Sequence, residues 1–452
     1  MKGKILFEYY VGASRIRIVK SENSYLYMLS LEPEPPPELV GKIKKSHEVI
    51  LTSLPLKNEI TESDIVEVVK EALGVDNELI PLALHMVKKE LKYKILQELL
   101  EDPYVEDITI VGPGPIWVRH RKVLEIDSEA DYIPTNLVIE SLEEVLELQK
   151  YIAQKAGVHI SMSNPIVDAQ LPEEDGGHRI HLVGPEITGR KPEITIRKRI
   201  NRAISIRELI TQNVLTAYAA AYLYLILRAR GSVLIAGPPS SGKTTLLRAL
   251  LEGFIPRSWK VVIIEDTAEI DPPPGSNWVR YVTIERGKSI IDQFILAKAA
   301  LRASANKVIV IGETRGAEAQ VLAQAINLGM GALTTFHGGS AEEVIVRLKS
   351  PPINLSEYQV AMIWCIVLMK IVDFKGRFLR IIDEIDEIVP QSNGITLRRI
   401  FSRNNPRMKL LPEDPEEVVK NSIRLNEAAK RLGIDKSSIS YMIREIARRW
   451  LV

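Results

Sequence analysis

Residues 232–251 combine an apolar run, a loop bounded by glycines and a helical run, and this order constrains the fold more than any other feature of the sequence. The run from Ser232 to Ala236 is typical of a buried strand, the loop begins at Gly237 and ends at Gly242, and leucines at helical spacing follow. Loops of this kind curl so that backbone N–H groups and the N-terminus of the helix face phosphate groups. The sequence therefore predicts an α/β domain with a phosphate site at the carboxyl end of a strand.

The loop has the complete spacing of a P-loop, which a chance glycine-rich turn would not combine with a flanking strand and helix. We expect Lys243 to reach the β- and γ-phosphates of ATP and Thr244 to bind Mg²⁺. ATP and Mg²⁺ are therefore the expected cofactors. The residues predicted to line the nucleotide site are Gly237, Pro238, Ser240, Ser241, Gly242, Lys243, Thr244 and Thr245.

Acidic residues follow two further apolar runs of the predicted domain. Glu265 and Asp266 follow the run that begins at Val261, and Glu313 follows the run over 307–311. A single acid in this position is usually a solvated strand end. Parallel strands end at the same edge of a sheet, so two such acids beside a P-loop favour a catalytic group. We predict that Glu313 polarises the attacking water and that Glu265, with Asp266, holds the hydration shell of the metal.

His337 ends another apolar run, which begins near Leu333. A lone histidine after a strand is more often a packed or hydrogen-bonded residue than a chemical one. Its position after another strand of the same predicted sheet also suits a sensor of the γ-phosphate. Both interpretations of His337 stay open at the level of sequence.

The chain before residue 200 has a different pattern. Short β-type runs precede a proline-rich segment at 32–38, and the apolar spacing from 59 to 100, for example at Ile65 and Val68, is helical. From 107 to 198, β-rich runs flank one amphipathic helix predicted over 140–156, which is an α+β pattern. The predicted organisation is a small N-terminal unit (1–100), an α+β domain (101–200), a linker (201–213) and the P-loop domain with C-terminal helices (214–452).

Composition limits the possible partners and location. The 452 residues carry 59 lysines and arginines against 58 acidic residues, so no chain-wide charge attracts nucleic acid or anionic lipid. The single cysteine, Cys365, excludes an internal disulfide and is expected to be a buried apolar residue. No apolar run reaches the roughly 20 residues of a membrane span, and the start does not have the pattern of a signal peptide. A cytoplasmic location is expected.

The C-terminal tail, residues 425–449, has the spacing of a helix–turn–helix with Gly433 at the turn. A DNA-binding regulatory ATPase would show this pattern. A helical hairpin that packs on the P-loop domain would show it too, and we favour packing. The apolar positions of the tail are Ala428, Leu432, Ile439, Ile443 and Ile446.

Four motifs, in this order, resemble those of the type II/type IV secretion superfamily ATPases: the P-loop, an acidic box at 265–269, a Gly-Glu-x-Arg motif that begins at Gly312, and a Thr-x-His box that ends at His337. Upstream, residues 99–110, 165–172 and 176–198 look like the N-terminal domain of that family. Residues 265–269 and 347–355 are similar to its archaeal branch, which drives archaella and type IV pili.

The resemblance implies a RecA-like ATPase domain preceded by a PAS-like α+β domain. It also implies a homohexameric cytoplasmic motor that hydrolyses ATP to drive assembly of a type IV pilus-like filament, an archaellum or a type II/IV secretion system. Such a motor docks peripherally on a polytopic membrane platform protein at the inner face of the cell membrane. No nucleic-acid partner is expected.

Two arginines of the predicted α+β domain, Arg179 and Arg197, lie at the edges of β-type runs. The P-loop supplies one cation, Lys243, whereas phosphoryl transfer gains from a second, commonly an arginine supplied in trans. In the family that the sequence resembles, arginines at these motif positions approach nucleotide bound between subunits. The alternative is that both make ordinary surface ion pairs, worth under about 1 kcal/mol.

Other functions also stay open. A basic stretch would suit a nucleic-acid patch or a solvated linker as well as an intersubunit contact. Its residues are Arg190, Lys191, Arg197, Lys198, Arg199 and Arg202. A nucleic-acid-translocating motor would be stimulated by single-stranded DNA, and a nucleotide-gated scaffold would show no turnover. Neither alternative explains the motifs upstream of the P-loop.

Overall fold

The structure is a computed structural model that describes residues 3–22, 24–43, 66, 69–70, 73–74, 77–127, 129–189, 191–199, 204–286, 289–303, 306–374, 377–392, 394–405 and 408–451. The contacts within the chain divide it into two compact units, residues 1–199 and 200–452, which are described separately. Four positions that entered the sequence interpretation, Ile65, Val68, Arg190 and Arg202, lie outside the described residues.

The first unit contains nine strands and five α-helices with complete bounds in the described residues. In chain order they are β1 (Lys4–Val11), β2 (Ser14–Lys20), β3 (Tyr25–Leu31), α1 (Ile80–Leu91), α2 (Gln97–Glu101), β4 (Val105–Val111), β5 (Gly114–His120), α3 (Arg121–Leu124), β6 (Ile133–Ile139), α4 (Leu142–Lys155), β7 (Ile166–Gln170), β8 (Arg179–Val183), α5 (Pro185–Thr188) and β9 (Glu193–Arg197).

The nine strands form one sheet in the order β1-β2-β3-β6-β5-β4-β9-β8-β7. Alternate residues face the core, among them Ile108, Ile194 and Ile196, and α4 covers this face with Val145 and its neighbours. The sequence favours α4 because its apolar residues recur at helical spacing. The helix confirms the one predicted over 140–156, and the unit has the α+β composition expected from the sequence.

The strands before residue 32 join the sheet of the later strands through the β3–β6 pair, at Tyr27 and Thr135. The predicted small N-terminal unit therefore shares its sheet with the predicted α+β domain. The four-part division of the chain stays a prediction, and so does the PAS-like arrangement. The predicted linker contains a short helix, which begins after a capping box formed by Ser205 and Glu208.

The second unit contains ten strands and ten α-helices with complete bounds in the described residues. They are α6 (Ile206–Thr211), α7 (Ala217–Arg228), β10 (Ser232–Gly237), α8 (Lys243–Phe254), β11 (Val261–Glu265), β12 (Trp278–Val282), β13 (Ile284–Arg286), β14 (Ser289–Ile291), α9 (Gln293–Arg302), β15 (Val308–Ile311), α10 (Glu318–Asn327), β16 (Gly331–His337), α11 (Ala341–Lys349), α12 (Glu357–Ala361), β17 (Cys365–Phe374), β18 (Arg377–Gln391), β19 (Gly394–Ser402), α13 (Pro415–Asn421), α14 (Arg424–Leu432) and α15 (Ile439–Leu451).

The main sheet of this unit has the order β12-β11-β15-β16-β10-β17-β18-β19. The pairs from β12 to β17 are parallel, and β18 and β19 continue the sheet antiparallel. Strands β10, β11 and β15 are buried at every position, because apolar side chains pack against both faces of the sheet. The predicted α/β domain is confirmed in this mixed α/β sheet fold.

The C-terminal helices α14 and α15 contact α7, and α13 contacts α15. Their apolar residues Ala428, Ile439, Ile443 and Ile446 are buried in the same core as α7. The packing interpretation of the tail is therefore confirmed. Cys365, in β17, is also buried, as its apolar surroundings in the sequence predicted.

Candidate nucleotide-binding site

The loop between β10 and α8 has the backbone shape expected of a phosphate cradle. Gly242, which precedes the first residue of α8, has a φ of +90°, and Ser240 has a φ of +59°. A Cβ atom at Gly237 would lie 2.7 Å from the carbonyl oxygen of Met369, so only glycine fits where β10 meets the loop. Steric constraints thus explain why glycine occurs at both ends of the loop.

Lys243 points back into this loop. Its Nζ donates hydrogen bonds to the carbonyl oxygens of Gly237, at 3.1 Å, and Pro238, at 2.8 Å. The backbone N–H of Ser241 also donates to the Pro238 oxygen, at 3.4 Å. Burial lowers the pKa of Lys243, and the charge of Glu313 opposes that shift. An ammonium group and an amide therefore converge on one oxygen inside the loop.

Parallel pairing of β10 with β16 brings His337 beside Gly237. The Nε2 atom of His337 lies 2.7 Å from Oε1 of Glu313. Despite this approach, Oε1 has no hydrogen bond of acceptable geometry within the described residues. Burial and the charge of nearby Lys243 lower the pKa of His337, and the charge of Glu313 opposes that shift. The carboxylate of Glu313 thus keeps one oxygen able to accept a further hydrogen bond.

Arg315 holds the other oxygen of Glu313. Its Nη2 donates to Oε2 of Glu313 at 2.5 Å. Burial raises the pKa of Glu313, but the hydrogen bond and charge of Arg315, with His337 and Lys243, outweigh it and leave the pKa below its usual value. Backbone N–H groups of Arg315 and Gly316 donate to Oε1 of Glu318, at 2.5 and 2.6 Å. Glu313 is therefore ionised and held within a closed turn.

Threonines attach this turn to β16. The hydroxyl of Thr335 donates to the carbonyl oxygen of Gly312 at 2.6 Å, and the N–H of Thr314 donates to the carbonyl oxygen of Thr335 at 2.9 Å. The hydroxyls of Thr314 and Thr334 are 2.7 Å apart. These bonds hold Glu313 and His337 in a defined relation. Sequence reasoning missed this role, although Thr314 lies in the recognised Gly-Glu-x-Arg motif and Thr335 in the Thr-x-His box.

Glu265 has a different environment at the end of β11. Its carboxylate accepts hydrogen bonds from the backbone N–H groups of Glu269 and Ile270, each at 3.2 Å. Burial raises its pKa to about 7, against the effect of those N–H groups. The carboxylate therefore already stabilises the loop that follows β11. Its predicted role at the metal stays a prediction.

The charge of Glu313 acts on the pKa of Asp266. Burial raises the pKa of Asp266, a hydrogen bond from Gln293 opposes the shift, and the charges of Arg315 and Glu313 act on it. Within the described residues no group of three or more His, Cys, Asp or Glu side chains could hold a metal ion. A Mg²⁺ site here would need phosphate and water oxygens in addition to protein ligands, as is usual for this ion.

In the first unit, Arg179 and Arg197 are directly opposite each other on β8 and β9. Arg179 approaches Asp168 at 3.6 Å and Arg197 approaches Asp107 at 3.5 Å, and the side chains of the arginines are 48% and 64% exposed. Both line an open cleft of about 570 Å³. They share a polar sheet face and are largely accessible. Their predicted approach to a neighbour's nucleotide stays a prediction.

Sequence reasoning also missed Arg380, which belongs to β18. Its Nε donates to the carbonyl oxygen of Ser240 in the P-loop at 2.8 Å. The two residues are 140 positions apart, and Arg380 lies in none of the recognised motifs. Only the pairing of β17 with both β10 and β18 brings this arginine to the loop.

The family to which the chain belongs follows from comparison with known sequences. The profile of the family described as Type II/IV secretion system protein matches residues 89–375, which is more than half of the chain. This chain is a member of that family. The described residues contain no helix with the length and apolar character needed to cross a membrane.

The chain is also similar to individual proteins. A protein of Methanocaldococcus jannaschii, uncharacterized protein MJ0900, is 35% identical over 325 residues, which cover 70% of this chain and 57% of the relative. Conjugal transfer protein TrbB of Rhizobium radiobacter is 34% identical over 189 residues, 41% of this chain and 55% of that protein. The matches thus span little more than half of these relatives. The structure of the Legionella pneumophila ATPase DotB has 18% sequence identity and a TM-score of 0.46, covering 80% of this chain and 88% of DotB.

Proposed function

We propose that this chain binds ATP with Mg²⁺ and hydrolyses the bond between the β- and γ-phosphates, with Glu313 orienting the attacking water. The observation that carries the proposal is the pairing of the P-loop with an ionised carboxylate at one sheet edge. Lys243 and Glu313 each shift the pKa of the other, and Oε1 of Glu313 is a buried oxygen without a hydrogen bond of acceptable geometry, 2.7 Å from Nε2 of His337. A carboxylate with a lowered pKa keeps its charge at neutral pH, and that charge is what orienting a water molecule requires.

The other site residues have distinct roles in this proposal. Lys243 and the N–H groups of the loop bind phosphate oxygens, and His337, beside Gly237, reports the presence of the γ-phosphate to Glu313. The hydroxyl of Thr244 and an acidic side chain, Asp266 or Glu265 through water, would hold Mg²⁺, because that ion prefers oxygen ligands. When bound, the ion would neutralise charge on the phosphates.

We further propose that hydrolysis drives a homohexameric motor of a pilus-like filament, an archaellum or a type II/IV secretion system. Membership of the secretion family and the name of the conjugal transfer relative support this assignment. Arg179 and Arg197 would act in trans on a neighbour's nucleotide. The motor would dock on a polytopic platform protein at the cytoplasmic face of the membrane, without nucleic acid as a partner.

Substitutions at the sheet edge test the proposed chemistry. Glu313→Gln retains size and hydrogen bonding but removes the charge, so ATP should still bind while turnover falls by a factor on the order of a hundred or more. Lys243→Ala should lose nucleotide binding instead. Glu342→Gln, at an exposed acid of α11, is the control for loss of a carboxylate. Wild-type turnover in Glu313→Gln would show that the assignment of Glu313 is wrong.

A further inference from the structure

The β17–β18 hairpin runs beside the P-loop and continues beyond it. Strand β17 pairs with β10 from Cys365 to Leu368, whereas its pairing with β18 extends to Phe374. The register of β17 and β18 shifts between Leu368 and Met369. A shift of this kind alters the direction of the side chains that follow it, and such irregularities are frequent next to functional sites. Here the shift lies where Met369 meets Gly237 of the loop.

Arg380 extends from this hairpin onto the loop. Its Nε donates to the carbonyl oxygen of Ser240 at 2.8 Å, and its Cδ lies 3.6 Å from the position that a Cβ atom would take at Gly242. Ser240 has the left-handed φ of +59°, which is unfavourable for a residue with a side chain. A hydrogen bond from a guanidinium group is stronger than one from a neutral donor and can stabilise that conformation.

The direction of the Ser240 carbonyl group determines the direction of the next amide. In a trans peptide the C=O of one residue and the N–H of the next point in opposite directions. Because Arg380 holds the Ser240 oxygen on its own side, the Ser241 N–H faces the interior of the loop. There it approaches the Pro238 oxygen, which also accepts from Nζ of Lys243. The same two donors would converge on a phosphate oxygen in that position.

We propose that Arg380 is a positioning residue for phosphate binding, which keeps the Ser241 N–H directed into the P-loop through its bond to Ser240. This inference rests on the proposed function, because it assumes that the loop binds nucleotide. It assigns Arg380 to the part of the loop that would contact phosphate groups present in both ATP and ADP. It does not assign it to the γ-phosphate.

The role predicts a specific pattern of affinities. Arg380→Ala should weaken binding of ATP and ADP by the same factor, about tenfold, because both use the same amide cradle. Turnover of the bound ATP at saturation should change little. If Arg380 instead contacted the γ-phosphate, the substitution would weaken binding of ATP alone and lower kcat. A merely structural role would lower the unfolding temperature and leave both affinities unchanged.

Titration of the full chain with N-methylanthraniloyl ATP and ADP in the presence of Mg²⁺ would measure these affinities. Arg398→Ala is the matched control, because Arg398 also lies on an exposed strand position and donates to a backbone carbonyl, that of Lys420, at 3.2 Å. Arg380→Lys retains the charge but removes the Nε donor, and it should also weaken both nucleotides. It provides the test if Arg380→Ala does not fold.

Parallel loss of ATP and ADP affinity in both Arg380 variants, with Arg398→Ala at the wild-type level, would support the inference. Wild-type affinities in both variants, loss for ATP alone, or an equal loss in Arg398→Ala would overturn it. If the wild-type chain bound neither nucleotide, the proposed function would be wrong, and this inference with it. If the wild-type chain bound both and Arg380→Ala bound both with unchanged affinity, only the inference would be wrong.

Discussion

At the scale of single residues, two acids at the same sheet edge have pKa values that are shifted in opposite directions. Burial raises the pKa of Glu265 to about 7, whereas Arg315 and its neighbours hold the pKa of Glu313 below the usual value despite burial. Two carboxyls whose environments separate their pKa values often divide their roles. Glu313 suits the charge-dependent role, and Glu265 stabilises the loop after β11 through its backbone hydrogen bonds.

The raised pKa of Glu265 predicts a pH dependence of stability. Its pKa rises from 4.5 in the unfolded chain to about 7 in the folded one, so the folded state binds more protons between these values. The free energy of unfolding should therefore fall as pH rises from about 4.5 to about 7. In Glu265→Gln, the free energy of unfolding should fall less over this pH range, because the titrating carboxyl is gone. Thermal unfolding at pH 5 and pH 8 would measure it.

Glu22→Gln is a suitable control for this experiment, because Glu22 is an exposed acid of the first unit. It should retain the pH dependence of the wild-type chain. An identical difference between pH 5 and pH 8 in Glu265→Gln and wild type would contradict the raised pKa.

At the scale of elements, a buried carboxylate on β18 holds the start of α14. Glu387 is fully buried and accepts hydrogen bonds from the Tyr222 hydroxyl at 2.9 Å and from the N–H groups of Ile423 and Arg424 at 2.9 and 3.1 Å. The hydroxyl of Ser422 donates to it as well. The carboxylate thus connects α7, β18 and α14, which explains how the C-terminal helices are attached to the sheet.

Removal of this acceptor should weaken the second unit strongly. Glu387→Ala leaves several buried donors without a partner, so it should lower the free energy of unfolding by on the order of 3 kcal/mol. Tyr222→Phe removes one donor and should cost about 1 kcal/mol. Urea unfolding followed by far-UV circular dichroism would compare them. Equal stability of Glu387→Ala and Tyr222→Phe would argue against the shared-acceptor role of Glu387.

At the scale of the whole molecule, the family match extends across both units of the chain, from residue 89 to 375. The P-loop belongs to the second unit, and the exposed arginines Arg179 and Arg197 belong to the first. In the proposed hexamer each site would combine a P-loop from one subunit with arginines from its neighbour. This arrangement would make hydrolysis a property of the assembly, and mixtures of inactive variants can test it.

Arg197→Ala and Glu313→Gln subunits should each be nearly inactive alone and partly active when mixed. In a mixed ring, some interfaces join an intact Arg197 to an intact Glu313, so activity should return at those sites. ATP hydrolysis after subunit exchange would measure the recovery. Arg197→Ala mixed with the Arg197→Ala/Glu313→Gln double variant is the control, because that mixture contains no intact interface. No recovery in demonstrated mixed rings would exclude the trans role of Arg197.

The sequence by itself determined the position of the P-loop, the acids after β11 and β15, helix α4 and the burial of Cys365. These features follow from local periodicity and from motif spacing, which depend only on residues that are close in sequence. The order of motifs also identified the family.

Only the tertiary structure decided which distant residues meet. Register between strands brings His337 beside Gly237 and Arg380 onto Ser240, and a register is a property of paired strands that no single run of residues specifies. Glu265 and Glu313 both come at the ends of apolar runs in the sequence, and burial raises the pKa of each. Only at Glu313 do Arg315 and its neighbours outweigh burial and leave the pKa below its usual value.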